Sequence, residues 1–321
     1  MTSSPTTSQA IDVTGLRKCF GEREALRGMD LQVAAGSFFG LLGPNGAGKT
    51  TSVGILTTLL RPDAGRARLL GLDVVEERTR VRAMLGVVFQ EPSLDPELTP
   101  REHLRLYARL YHLDRPKQRA DEMLERMHLL EEADRLVGTL SGGMKRRLEI
   151  GRGVLHEPRL LFLDEPTTGL DVAARARVWQ QLRDLHAQGD TTLFLTTHSM
   201  EEAEALCDEL AIMDAGELVV QGSPEQLKGA LGGDVVRLVV ARVGPEPPRF
   251  EAVEGVVRVT REQRAEGSIV FRVTVRDGPR RLAALVEVAR ELEIEEVTLH
   301  RPSLEHVFLR HTGHEFEESD A

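Results

Sequence analysis
The chain has 321 residues, a formal net charge of −10 at pH 7 and a hydrophobic fraction of 41%. That length allows a large and a small domain with an ordinary core, and the acidic balance argues against nucleic acid as a partner. Cys19 and Cys207 offer neither a disulfide framework nor a metal spacing. No apolar run approaches the roughly 20 residues that span a bilayer, and "MTSSPTTSQA" lacks the basic and apolar parts of a signal peptide. A soluble protein of a reducing, cytoplasmic compartment is expected.

Residues 1–10 are Ser/Thr-rich and expected to be disordered. From 11 to 228, short apolar runs alternate with helical patterns, as in α/β folds. Strands are predicted at 37–42, 85–90, 160–164 and 191–197, the last three reading as buried parallel strands. An all-helical patch is expected at roughly 99–155. It opens on a capping box, with Thr99 as N-cap, Pro100 in the first turn and Glu102 closing it. Leu104, Tyr107, Ala108 and Tyr111 then fall on one face. "GGDVVRLVVARVGPEPP" marks a boundary near 229–250. A small α/β domain to residue 313, with two or three strands and one helix, and an acidic tail at 314–321 are expected beyond it.

The chemistry begins with "GPNGAGKT" at 43–50, which fits G-x-x-x-x-G-K-[ST] between an apolar strand and a helical segment. Its glycines let backbone N–H groups curl around a phosphate, and the following helix N-terminus adds its dipole. Lys49 supplies a point charge and Thr50 a hydroxyl for Mg²⁺. "LLFLDEP" then ends a strand with Asp164, suited to the same metal, and Glu165, suited to polarising a water beside a γ-phosphate. Gln90 ends the predicted strand "LGVVFQ", and His198 ends "TTLFLTTH", at the strand ends where such folds bind ligands. Ser199 and Glu202 are expected to cap the next helix.

"LSGGMKRR" at 140–147 raises a separate question, because it is a second serine- and glycine-rich anion cradle, with Ser141 at an N-cap position. Together and in order, "GPNGAGKT", Gln90, "LSGGMKRR", "LFLDEP", "GLD" and His198 resemble the ATP-binding subunits of ABC transporters over residues 11–228. "SGGMKRR" and the ending "SLEHVFLRHTGHE" are most similar to the daunorubicin-resistance type of exporter subunit. The resemblance implies a P-loop NTPase with a RecA-like core, an antiparallel β subdomain and an α-helical signature subdomain, plus the small C-terminal domain. It implies ATP and Mg²⁺ as cofactors and a homodimer in which each ATP lies between one subunit's P-loop and the other's signature.

Roles follow by resemblance. Phe20 would face adenine, and Gly43, Asn45, Gly46, Gly48, Lys49, Thr50 and Thr51 would form the cradle. Gln90, Asp164 and Thr50 would serve Mg²⁺, Glu165 would be the base and His198 the γ-phosphate contact. Ser141 and Gly143 would close the partner's site, and Asp171 would link across the dimer. Met144 stands where the family often has Gln, and a thioether is at best a weak acceptor. "KRR" at 145–147 reads as a solvated basic face. The ending "LEHVFLRHTG" is amphipathic and suited to clasping the other subunit. A separately encoded membrane permease is the implied partner, which puts the chain on the cytoplasmic face of the membrane. The competing reading, a soluble ATPase of translation or DNA repair, is disfavoured: one cassette is present, and only about ninety residues without sustained heptads separate the two cradles.

Overall fold
The computed structural model describes residues 9–91, 93–189, 191–241, 248–263, 268–290 and 292–314. It divides into two compact units, the first ending at Ser223 and the second beginning at Pro224. The expected disorder at 1–8 and the acidic tail beyond 314 lie outside the described residues. Gln9 and Ala10, grouped with that terminus in the sequence, instead open the first strand, with Ala10 fully buried.

The first unit runs β1 (Gln9–Phe20), β2 (Arg23–Ala34), β3 (Phe38–Leu42), α1 (Lys49–Leu56), β4 (Ala64–Leu69), β5 (Leu72–Asp73), α2 (Arg78–Ala83) and β6 (Leu85–Val88). It continues through α3 (Pro100–Leu110), α4 (Pro116–Arg126), α5 (Gly142–Val154), β7 (Leu160–Asp164), α6 (Val172–Ala187), β8 (Thr192–Thr197), α7 (Met200–Leu206), β9 (Glu209–Asp214) and β10 (Glu217–Gly222). Six strands form one sheet in the order β10-β9-β3-β8-β7-β6, parallel except for β10. Every residue of β7 and β8 is buried and β6 is buried except at Val87, which is why these three read as continuous apolar runs; β3 is fully buried beside them. Phe194 packs at 5.6 Å from Phe39 and 5.2 Å from Phe162, ring centre to ring centre, tying β3, β7 and β8 together. A second, antiparallel sheet, β2-β1-β4-β5, contributes Ile11, Leu16, Leu26 and Leu31 to the same core.

The helical region forms as its caps dictate. The Thr99 hydroxyl accepts from Glu102 N while Glu102 Oε2 accepts from Thr99 N at 2.9 Å, a complete capping box. Leu104 and Ala108 are fully buried, whereas Tyr111 is 40% exposed and stacks on His156. The strand predicted at 85–90 stops at Val88, so Gln90 lies two residues past its end.

The second unit comprises α8 (Pro224–Gly229), β11 (Asp234–Val240), β12 (Val256–Gln263), β13 (Ile269–Val275), α9 (Gly278–Val288), β14 (Ile294–His300) and α10 (Leu304–Thr312). Its antiparallel sheet, ordered β12-β13-β11-β14, buries Val236, Leu238, Phe271 and Val273 in one cluster with Leu285 of α9. Against the two or three strands expected there are four: β11 lies in the segment that marks the boundary in the sequence, and β14 carries no reading there. On α10, expected to clasp another subunit, most apolar residues pack within the unit, while Leu309 is 42% exposed. Leu304, Val307 and Phe308 are buried, α10 packs on α8, and Arg310 donates to Ala230 O.

Candidate nucleotide site
β3 leads into the loop 43–48, which turns into α1. A Cβ on Gly43 would sit 2.3 Å from Met213 O, and one on Gly48, at φ +111°, would sit 2.7 Å from Ala25 O. Both positions therefore demand glycine, for close approach and for left-handed backbone. Lys49 opens α1 only 4% exposed, and its Nζ donates to Gly43 O at 2.7 Å and Pro44 O at 3.1 Å. The ammonium thus holds the loop in its curl. Burial lowers the Lys49 pKa, against the opposing pull of Glu165 and Asp164.

The carboxylates arrive at the carboxyl end of β7. Asp164 accepts from Thr196 of the adjacent β8; burial raises its pKa, and the charge of Glu165 adds to that rise. At Glu165 the backbone enters the left-handed region, φ 46°, a costly conformation for a residue with a Cβ. Its amide donates to Thr196 O at 3.1 Å. Its side chain is the meeting point of the site. Lys49 Nζ lies 3.4 Å from Oε1; at Oε2, Gln90 Nε2 donates at 3.4 Å and Thr168 Oγ1 at 3.2 Å. His198 Nδ1 lies 3.2 Å from the same Oε2, a contact off the line of a good hydrogen bond that becomes an ion pair when the imidazole is protonated. Burial pushes the Glu165 carboxyl up, but His198 and Lys49 outweigh it and hold it below its ordinary value. The contact with Glu165 raises His198 in return, against burial.

A cavity of about 540 Å³ is lined by cradle residues Asn45, Gly46, Gly48, Lys49, Thr50 and Thr51, while Gly43, Asp164 and His198 stand behind its wall and do not line it. Gln90, Glu165 and the half-exposed ring of Phe20 complete its wall. Arg23 also lines it and donates to Gly46 O at 3.4 Å, a cation beside the cradle that no motif singled out. Ser141, Gly143 and Asp171 do not reach this cavity. Ser141 is exposed and caps α5 by accepting from Met144 N, and Asp171 caps α6 by accepting from Ala174 N at 2.8 Å.

The basic triplet after the signature is not a solvated face. Arg146 and Arg147 are 5% and 7% exposed. Arg146 donates to Phe89 O at 2.6 Å, Gln90 O at 3.1 Å and Glu165 O at 3.4 Å, and pairs with Glu149 at 3.0 Å. Glu149 in turn accepts from Ser93 N at 2.8 Å. The signature helix thereby grips both the Gln90 segment and the turn that carries Glu165. The i, i+3 spacing of a basic and an acidic residue in "RRLE" was the available signal. Arg147 donates to Met127 O and His128 O. Glu202 also departs from its expected capping role. Ser199 accepts from Glu202 N, but the Glu202 carboxylate is buried against Thr167 Oγ1 at 2.7 Å and Trp179 Nε1 at 3.0 Å. Burial raises its pKa.

Comparison with known proteins agrees with this geometry. A family profile described as ABC transporter matches residues 26–168, and one described as the C-terminal domain of ATP-binding protein DrrA1-3-like matches 222–312. The chain is 43% identical over 308 residues to daunorubicin resistance ATP-binding protein DrrA3 of Streptomyces coeruleorubidus, covering 95% of this chain and 96% of that one. It is 41% identical over 311 residues to Nod factor export ATP-binding protein I of Ralstonia nicotianae, covering 95% and 94%. Among solved structures it is similar to CbiO1 of Clostridium perfringens, part of an ABC transporter complex: TM-score 0.64, 26% identity, 69% of this chain and 91% of that one. A nucleotide-free ATP-binding cassette from an ABC transporter gives TM-score 0.62 at 26% identity, covering 70% and 95%. With a phosphate cradle, paired carboxylates behind it and near full-length likeness, the chain belongs to the ATP-binding subunits of ABC transporters and is an ATP-hydrolysing enzyme.

Proposed function
We propose that this subunit powers an exporter of drugs or other amphipathic compounds, working as a homodimer on the cytoplasmic face of the membrane with a separately encoded permease. Two relatives named for daunorubicin resistance and for Nod factor export support export as the direction. Among the described residues no helix is long and apolar enough to cross a membrane, so the conduit would belong to another chain.

Glu165 is the general base of this reading, and one observation carries it. A carboxylate kept ionised by His198 and Lys49 borders the cradle cavity, beside the lysine that meets the phosphates. His198 orients the carboxylate and contacts the γ-phosphate, and Phe20 offers its ring face to adenine. The oxygen donors of Thr50, Asp164 and Gln90 suit Mg²⁺, a hard cation. Bound there, Mg²⁺ would neutralise charge on the phosphates. Ser141 and Gly143 of one subunit close the other's site, with Asp171 at the same junction. Glu165→Gln should keep ATP binding, slow hydrolysis about 10²–10⁴-fold and accumulate an ATP-bound dimer. Hydrolysis at the parent rate would remove Glu165 from the role of base, and no stable dimer would remove the sandwich.

A further inference from the structure
The second unit has a cavity of about 390 Å³ at the turn from α8 into β11 and the turn from β14 into α10. Leu231, Val235 and Pro302 give it apolar wall, while Arg237, Arg272 and Arg301 bring three guanidinium groups to it. Among the described residues lining it there is no Asp or Glu, in a chain with 51 acidic against 41 basic residues. Chance sampling of this chain's charges would favour the opposite sign.

The sheet register sharpens the anomaly. Arg237 and Arg272 are direct cross-strand partners on β11 and β13, an arrangement in which like charges repel. Each is only partly compensated. Arg237 Nη1 pairs with Glu296 at 2.8 Å, and Arg272 Nη1 with Glu262 at 2.6 Å. Neither glutamate lines the cavity. A guanidinium carries five N–H donors, so one pairing through a single Nη leaves most of each fork for another acceptor. The Arg237 side chain is only 20% exposed, so water cannot fully solvate it. Arg301 forms no ion pair among the described residues. His306 is tied to Ser303 through Nδ1, which leaves Nε2 as its second polar atom at the cavity.

We infer that this cavity is a binding site for an amphipathic anion, a phosphate- or carboxylate-bearing molecule whose acid group meets the arginines and whose apolar part lies on Leu231, Val235 and Pro302. The volume is that of a small-molecule site, and low-dielectric walls with charge of one sign focus the field on an anion. Arginine forks match such acid groups bidentately. The site is separate from the nucleotide cradle and does not depend on the roles proposed there.

The test is calorimetric titration of octyl phosphate, below its micelle concentration, into the full chain saturated with ADP so that the cradle is occupied. One saturable site is expected, weakened about ten- to a hundredfold by Arg301→Ala and by Arg272→Gln, with unfolding temperature and ADP affinity unchanged. Octyl glucoside, the neutral analogue, should not bind, and inorganic phosphate should bind more weakly. Sedimentation with phosphatidylglycerol vesicles but not phosphatidylcholine vesicles, abolished by Arg301→Ala, would identify an anionic lipid headgroup as the source. Binding in solution without sedimentation would identify a free acidic molecule. Absence of a saturable site, or affinity indifferent to both substitutions, overturns the inference. Inorganic phosphate binding as tightly as octyl phosphate overturns its amphipathic part.

Discussion

The two glycine-rich cradles differ in how far their own chain finishes them. At the first, the lysine is buried, its donors are shared among Gly43 O, Pro44 O and Glu165, and the carboxylate behind it is held from several sides. At the second, Ser141 and Gly142 are exposed, and the serine hydroxyl does no more than cap its helix. Yet the helix behind that open cradle is anchored in the fold through Arg146. A site whose polar groups converge within one chain can bind by itself. An exposed cradle on a buried mount suits the proposal that a second subunit completes it. The mount also bonds directly to the Gln90 segment and to the Glu165 turn.

The largest effect expected of any change to this contrast comes from Arg146→Ala. It leaves Glu149 buried without its cation and should cost about 3–5 kcal/mol of stability, read from the denaturant midpoint. Arg146→Lys separates mount from fold. A point charge cannot span three carbonyls, so hydrolysis should slow more than ATP affinity falls, whereas equal losses would make Arg146 merely structural. Ser141→Ala should cost about 1 kcal/mol as a lost cap. It should slow hydrolysis in the dimer while leaving ATP affinity of the dilute monomer intact. A monomer that binds ATP more weakly would break the comparison, since the second cradle would then serve its own chain.

The smallest effect is on pH dependence. His198 has a raised pKa in the fold, so its stabilisation is complete below its ordinary value of 6.5 and is lost as pH rises through the raised one. Glu165 is lowered, so its share is present above its ordinary value of 4.5 and is lost as pH falls through the lowered one. His198→Gln should flatten the decline of stability that sets in above the ordinary histidine value of 6.5. An unchanged slope would show that the pair contributes nothing to folding.

The glycine-rich loop was legible in the sequence because its geometry is local. Gly43, Gly48, Lys49 and Thr50 lie within eight consecutive residues, and their spacing is itself the binding geometry. The capping box at Thr99 and Glu102 was legible for the same reason. Reading failed where a residue's partner is remote. Arg146 and Arg147 looked solvated because charge runs usually are, and nothing nearby announces that the carbonyls of Phe89 and Gln90 lie within reach. Glu202 had the spacing of a capping residue, but Thr167 and Trp179 draw it inward.

By itself the sequence determined the parallel core strands, the nucleotide cradle, the Asp164–Glu165 pair and the capped helices, since apolar periodicity and short-range hydrogen bonding are written along the chain. Tertiary structure alone decided that Glu165 would gather Lys49, Gln90, Thr168 and His198, that Arg146 would fasten the signature helix to that turn, and that Arg237 would face Arg272 across two strands. Those contacts join residues far apart in sequence, and which of them form depends on sheet order and helix packing, which no local spacing encodes.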